Sequence, residues 1–512
     1  MAITRKAGNW QQYLKVSCAT VMAGALMVSC SGADKDASAG EEKDGKAKNA
    51  ASSTAEKKWD TGIYVTKYRT PFDDSTVPPS DAIVPESNQL AKNVLLPYEL
   101  DPELRTNRGS STVLHSGRLS LTFGPTVAKA GDPFDDKLQS GYYTGANDDN
   151  ESHQASWAVL RYDSAETAKE AAAAYGKAYS ELPDFLDDDG SVTFTPVNYQ
   201  PLSAPATAVK ANYTSLNSEE FNVATSFNEY VLLSTSKLGD SNSVEDEQKF
   251  LSEFFTKQTA LLTAMPAHKT EAGFGTNDGY APYDPDGLFR YVVKLPEEYR
   301  DDYMPFPASM NARALTGIWM EQDLMSAALK AAGVETAFVA ADTLMKARNP
   351  EAAASLASTL LSYDTEDGWE EYVEPQDLPN TRCLSRDEAM STVKLQCYTH
   401  YDDFVVYGST SYSTKERGED ANSADANADE NAEKSSVQPK DENEAKTRLS
   451  QMFAAQLMIF EDAKKNPEGT PPETQSAEET EDAGKSKDSE KKSEDTSKSE
   501  DATKREEESE DK

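Results

Sequence analysis

Val223-Ala224-Thr225-Ser226-Phe227-Asn228-Glu229-Tyr230-Val231-Leu232-Leu233 reads as a β-hairpin. Cys397-Tyr398-Thr399-His400-Tyr401-Asp402-Asp403-Phe404-Val405-Val406-Tyr407 reads as a second copy of it. In each, two polar residues separate two aromatic ones between β-rich runs. Asn228-Glu229 and Asp402-Asp403 are two-residue turn tips, and the flanking aromatic residues would pair across the ladder.

The likeness extends outward in both directions. Leu251, Ser252, Phe255 and Gln258 after the first hairpin match Leu449, Ser450, Phe453 and Gln456 after the second. Leu and Phe four apart share one helix face. Upstream, Trp157-Ala158-Val159-Leu160-Arg161-Tyr162 reads as a strand that leads into an Ala-rich helix. Asp163 and Glu166 have the spacing of a capping box there. The second copy has Thr343-Leu344-Met345-Lys346-Ala347-Arg348, then Asn349-Pro350-Glu351. Asn suits the N-cap and Pro the first helical position. Three matches in one order indicate an internal duplication. Each unit reads strand, helix, two or three strands, helix. The fold class expected is α+β: two related domains, each an antiparallel sheet packed by helices. A further helix is expected before each unit, at about 87–96 and about 308–330, with Gly333 as the second one's stop.

The chain has 512 residues, 37% of them hydrophobic, and a formal net charge of −38. The acidic balance argues against nucleic acid as a partner, because anionic surfaces repel phosphates. Arg5, Lys6 and Lys15 precede an apolar run over 16–28, which is too short to span a bilayer but fits a signal peptide. It ends at Leu26-Met27-Val28-Ser29-Cys30, which resembles a bacterial lipobox with Cys30 as the lipidated residue; an ordinary secretory signal is the alternative. Residues 31–58 contain no apolar residue larger than Ala, and 30–58 reads as a disordered tether. Residues 466–512 read as a disordered acidic tail, and 413–442 as an acidic disordered insertion. The resulting organisation is signal 1–29, tether 30–58, first domain 59–268, second domain 269–465 with that insertion, and tail 466–512. Removing the signal (+3), the tether (0), the insertion (−5) and the tail (−9) leaves −27, so most of the acidity belongs to the two domains themselves.

If Cys18 leaves with the signal and Cys30 is acylated, Cys383 and Cys397 remain. An even count in an exported protein reads as a disulfide. A bond across so short a loop stabilises by roughly 3 kcal/mol. No nucleophile elbow, phosphate-binding glycine motif or metal-ligand spacing of the four His appears, so no catalytic, cofactor or metal residue is assigned. Ser391-Thr392-Val393-Lys394 matches SxxK by letter only. The 273–279 run of glycines reads as an interdomain linker. Acid pairs such as Asp135-Asp136, and Asp284-Pro285-Asp286-Gly287, lack calcium-loop spacing and read as solvated loops. Tyr280, Tyr283, Tyr299 and Tyr303 lie among acids in one long connection, and Tyr142-Tyr143 lie between glycines. Such rings stack sugars or bind cations, or else pin a loop with the hydroxyl left wet.

Trp59-Asp60-Thr61-Gly62-Ile63-Tyr64, Pro97-Tyr98-Glu99-Leu100-Asp101-Pro102, and the region from Leu378-Pro379-Asn380-Thr381-Arg382-Cys383 through Cys397 to Gln456-Leu457 carry a resemblance over roughly 59–465. The chain resembles uncharacterised envelope lipoproteins of mycolic-acid-bearing actinobacteria. The resemblance implies tandem N- and C-terminal domains of unknown function, both α+β, and an envelope location, but no activity. The functional expectation is a membrane-anchored, extracytoplasmic, non-enzymatic module that binds an envelope ligand or protein between the halves or on the 280–306 connection. The alternatives are an envelope glycan or lipid hydrolase whose carboxylates meet only in the fold, and a structural protein that uses its acidic surface and tail.

Overall fold

A computed structural model describes residues 59–77, 81–182, 191–214, 217–239, 243–294, 307–388, 391–414 and 439–471. The signal, Cys30, the tether, residues 415–438 of the insertion and 472–512 of the tail lie outside the described residues. The first half contains α1 (Ile83–Ala91), β1 (Thr106–Thr112), α2 (Ser120–Phe123), α3 (Pro125–Gly131), β2 (Leu138–Asn147), β3 (Gln154–Tyr162), α4 (Ala165–Ala178), β4 (Val192–Pro196), β5 (Ala206–Tyr213), β6 (Ser218–Phe227), β7 (Tyr230–Leu238) and α5 (Val244–Ala264). The second contains β8 (Ala308–Asn311), α6 (Ala312–Ile318), α7 (Gln322–Ala332), β9 (Thr336–Val339), β10 (Thr343–Lys346), α8 (Pro350–Glu366), β11 (Glu370–Tyr372), β12 (Arg382–Glu388), β13 (Thr392–Tyr401), β14 (Phe404–Ser413) and α9 (Glu442–Lys465).

The fold is α+β with two seven-stranded sheets, and their strands are ordered alike. The first runs β1-β2-β3-β7-β6-β5-β4; the second, read from its other edge, runs β8-β9-β10-β14-β13-β12-β11. All pairings within them are antiparallel. The hairpins that reveal the duplication superpose in register: Phe227 faces Tyr230 and Tyr401 faces Phe404. The first tip residue of each, Asn228 and Asp402, has positive φ (51° and 48°), a conformation that Asn and Asp tolerate.

Helices cover both faces of each sheet, so β3 is buried over almost its whole length and reads as an apolar run rather than an alternating one, while β13 and β14 become exposed toward the end away from their hairpin tip. Ala168, Ala171 and Tyr175 of α4 pack with Ala158 and Leu160 of β3, while Leu251 and Phe255 of α5 pack with Trp157 and Val159 on the other face. Alanine on α4 lets helix and sheet approach closely, and the large rings fill the α5 side. In the second half α8 and α9 take these two places. Asn349 caps α8 with Pro350 at its first position, as expected; Gly333 ends α7 in the left-handed region at φ 66°. The cap of α4 is Ser164, whose Oγ accepts the Thr167 amide, and Asp163 accepts the Thr167 hydroxyl instead. Cys383 and Cys397 form a disulfide between facing residues of β12 and β13. At the matching place in the first sheet, Ala208 faces Val223.

Several expectations are corrected. The helix expected at 308–330 is β8, α6 and α7, because the Met320 carbonyl accepts the Asn107 amide (2.8 Å) and the Gln322 amide donates to the Arg105 carbonyl (2.9 Å). That pairing continues the edge of the first sheet into the second half and breaks the helix. The helix expected at 87–96 begins earlier, at Ile83. β1, β2, β8 and β9 were not expected at all.

The two sheets share one apolar core. It runs from Leu90, Trp157 and Phe255 through Leu315, Met325 and Leu360 to Tyr398. Side chains of both halves therefore meet at the junction. Residues 59–70, counted with the first domain by sequence order, run along α9 as a strap. The Asp60 amide donates to Gln376, the Gln451 amide to Asp60, and the Tyr68 amide to Asp462. The tail expected from 466 onward starts with packed residues: the Thr470 amide donates to the Tyr68 carbonyl (2.7 Å), and the Arg290 guanidinium binds the Pro467 and Glu468 carbonyls.

Candidate functional site

A half-open cleft of about 310 Å³ lies on the first half, lined by Ala82, Ile83, Leu114, Asp135, Asp136, Leu138, Gln139 and Tyr280. Its size falls at the lower end of the range for small-molecule sites. None of these residues is cationic. Asp135 is fixed by the Ser116 amide (2.7 Å to Oδ1) and hydroxyl, and Ser116 also reaches Asp132. Asp136 is exposed. Tyr280, 45% exposed, forms one wall and lies 4.1 Å, centroid to centroid, from the His268 ring. An aromatic wall, an apolar floor and two carboxylates suit a ligand with an apolar face and cationic or hydroxyl groups.

The wall is held by a buried clasp. Arg161, next to the end of β3, is 1% exposed. Its Nη1 lies 3.7 Å from Glu86 on α1 and its Nε 3.4 Å from Glu229 at the hairpin tip. Its other nitrogen donates to the His268 carbonyl (2.6 Å), and Glu86 accepts the Ala281 amide (2.7 Å). The linker at 268–281 is therefore pinned at both ends of the stretch that carries Tyr280. A charged residue inside the apolar run Trp157-Ala158-Val159-Leu160-Arg161-Tyr162 is the sequence signal for such a pair, since a buried guanidinium must be matched.

Other polar groups meet away from the cleft. His153 Nε2 lies 3.2 Å from the buried Glu247. Burial opposes charge on that imidazole, but the hydrogen bond and charge of Glu247, with Asp101 and Asp148, outweigh it and raise its pKa. Tyr398 donates to Asp364 (2.6 Å), whose carboxyl is pushed up to about 6, chiefly by burial. Lys92 donates to Ser309 (3.0 Å), which reaches Asp286 (3.4 Å). Burial lowers the Lys92 ammonium pKa. A lysine beside a serine can activate the hydroxyl. Ser309 is 2% exposed, however, so this relay serves as a strut between α1 and β8. Among the described residues no group of three or more His, Cys, Asp or Glu is placed to hold a metal. Nor is any described helix long and apolar enough to cross a membrane.

The tyrosines expected to contact a ligand separate. Tyr280 lines the cleft. Tyr142 sits on β2 and is 1% exposed, so it is a core residue, not a surface contact. Tyr143 is half-buried against the core on the α4 side. Tyr283 stacks on Phe72 and touches Phe289 and Phe338, which makes it a pin for its loop. Tyr299 and Tyr303 lie outside the described residues. The apolar floor of the cleft had no sequence signal, because Ile83 at the start of α1, Leu114 after β1 and Leu138 at the start of β2 come from three separate parts of the chain.

Residues 74–274 match a family model described as Domain of unknown function (DUF7373) N-terminal, and residues 288–424 match its C-terminal counterpart. Together the two cover about two thirds of the chain. No curated protein matches the chain. Among solved structures, the extracellular domain of PknH from Mycobacterium tuberculosis is 12% identical, with a TM-score of 0.24, over 37% of this chain and 99% of that one. An uncharacterised protein from Mycobacterium smegmatis is 13% identical, with a TM-score of 0.15, over 32% of this chain and 83% of that one. At these scores neither likeness bears on the reading of the site.

Proposed function

The chain belongs to the family whose N- and C-terminal DUF7373 domains it carries in tandem, and from that membership we propose that it is a binding module of the cell envelope. It is held to the extracytoplasmic face of the membrane by acylated Cys30, and its ligand seats against Tyr280. Export is supported by the basic and apolar leader and by the Cys383–Cys397 disulfide, a bond that persists in oxidising compartments. Binding is supported by one observation above the rest: an exposed ring, fixed in place by a buried ion cluster, walls a cleft with two carboxylates and no cation. The acids with raised pKa values, Asp284, Asp342, Asp364, Glu220 and Glu321, do not line that cleft.

The test is calorimetric titration of the full chain with two probes, spermidine for the cationic class and maltotriose for the sugar class. Saturable binding of either probe that Tyr280→Ala abolishes is the expected result. Binding that survives both Tyr280→Ala and Asp136→Asn refutes the location. Membrane fractionation of Cys30→Ala tests the anchor separately: the variant should become soluble, and unchanged partitioning would remove the lipid from the proposal.

A further inference from the structure

We propose that the strap formed by residues 59–70 is a proton-controlled latch on the second half, closed while Asp342 carries a proton and loosened when Asp342 ionises.

The geometry that points to this is a difference between the two copies. The paired hairpins place Arg161 opposite Tyr230 and Lys346 opposite Phe404, so the ladders align β3 with β10 residue by residue. One step before β10, Asp342 falls where Trp157 stands in the first half. Trp157 is fully buried, stacks on Phe254 at 4.2 Å, and donates to the Leu95 carbonyl. Asp342 is equally enclosed, at 2% exposed, but neither of its carboxylate oxygens has a hydrogen bond of normal geometry among the described residues. The closing helices differ in the same way. Gln258 of α5 satisfies both the Asn93 carbonyl and the Leu95 amide. Gln456 of α9 donates to the Tyr291 carbonyl, and its buried oxygen has no partner among the described residues. At these two positions the first copy pairs its polar groups, while the second leaves the Gln456 oxygen without a partner and the Asp342 oxygens without a hydrogen bond of normal geometry among the described residues.

The strap lies over Asp342: Tyr64 and Tyr68 of the strap, with Val292 and Val293, share one apolar cluster with Phe338, Ala340 and Leu344, the neighbours of Asp342 in the chain. Of the groups that act on Asp342, Arg69 and Tyr64 come from the strap, and the Val293 amide comes from the segment that the strap pairs with. The strap is antiparallel to that segment: the Val65 amide donates to the Lys294 carbonyl and the Arg69 amide to the Arg290 carbonyl. Arg69 also donates to the Val292 carbonyl and covers the Phe289 ring. From α9, Asp462 holds the Tyr68 amide and lies near Lys67, and Arg448 acts on Tyr64. A carboxylate enclosed by such a cover is stable uncharged. Ionised, it must be hydrated, and lifting the strap is the local opening that hydrates it.

Burial pushes the Asp342 carboxyl up to about 7, against the pull of Arg69 and the nearby amides. A freed, solvated carboxyl titrates near 3.8. The sign follows: the closed form binds the proton more tightly, so opening becomes easier as pH rises between those values and levels off above about 7. From pH 5 to pH 8 the opening constant of the strap should rise on the order of a hundredfold.

The experiment is hydrogen–deuterium exchange of the Val65, Tyr68 and Thr70 amides in the full chain, corrected for the intrinsic pH dependence of exchange. The expected result is that protection in the wild type falls about a hundredfold from pH 5 to pH 8. In Asp342→Asn, which mimics the protonated form, the strap should be roughly tenfold more protected at pH 8 than the wild-type strap is at pH 5. A variant that retains the wild-type pH dependence overturns the proposal. So does a wild-type strap whose protection is flat, or rises with pH because ionised Asp342 pairs with Arg69. If Asp342→Asn does not fold, the wild-type profile alone decides.

Discussion

Arg161→Met tests whether the ion cluster under the linker holds the cleft. The guanidinium is 1% exposed and lies between Glu86, 4% exposed, and Glu229, also 4% exposed. Removing it leaves two enclosed carboxylates facing the space it occupied, and frees the His268 carbonyl of its donor. Breaking a buried pair by deleting one partner costs about 3–5 kcal/mol, because the charge left behind is unmatched. Methionine retains most of the stem's apolar volume, so the cavity contribution is small. Urea unfolding at pH 7 should therefore show a loss of about 3–5 kcal/mol at unchanged m-value. The triple variant Glu86→Gln, Arg161→Met, Glu229→Gln should recover part of that loss, since neutral amides need less compensation. Limited proteolysis supplies the local readout: the stretch 268–281 should become cleavable in Arg161→Met well before global unfolding. A loss below about 1 kcal/mol with an intact linker would refute the assignment, since that is the magnitude of an exposed pair.

Three further outcomes are expected. His153→Gln should flatten part of the pH profile of stability. The folded-state pKa of His153 is raised, so its contribution is fully present below about 6.5 and is lost as pH climbs through the folded value; unfolding at pH 5.5 and pH 8.5 in both proteins checks the difference. The double variant Cys383→Ala, Cys397→Ala should lose roughly 3 kcal/mol in denaturant titration, with the loss confined to oxidising conditions in the comparison. Trp157→Ala removes a fully buried ring together with its bond to Leu95, and calorimetry should show about 3–5 kcal/mol lost.

What the sequence revealed was what repeats strongly and locally. The hairpins were legible because each has β-branched and aromatic runs around a tip of two turn-forming residues, and the closing helices because Leu, Phe and Gln recur on one face. β1 was not legible: Thr106-Asn107-Arg108-Gly109-Ser110-Ser111-Thr112 contains no apolar side chain, and it is a strand because it pairs with β2 on one side and with 320–322 on the other. β8 and β9 are four residues each, below the length at which alternation can be counted. The break between α6 and α7 is likewise imposed from another part of the chain. Of the candidate site, Tyr280 and Asp135-Asp136 were visible separately; their meeting depends on Arg161 drawing the linker onto the sheet. Tyr142 was misjudged because glycines flank it. Gly141 is instead tight against Val113, at 2.7 Å from where a side chain would begin, so the glycine serves close packing in the core and not a loop.

The two halves meet the same mechanical requirement with different chemistry. Each must hold a long closing helix against its sheet and then turn the chain that follows. In the first half Trp157 fills the space beneath α5, and Arg161 grips the segment after it. In the second, Lys346 stands at the position of Arg161 and is exposed. The grip is supplied instead by Arg290, which binds the carbonyls of 467 and 468 and stacks on Tyr68. That substitution makes the second closure depend on the strap, because Tyr68 belongs to it. A disulfide between β12 and β13 takes the place of the apolar Ala208–Val223 pair nearby. Covalent stapling of the sheet is consistent with a cover that can loosen: the strap can then open without the strands beneath it separating. The first copy, with Trp157 beneath its helix, carries the cleft, while the second, with an enclosed carboxyl at that position, carries the latch.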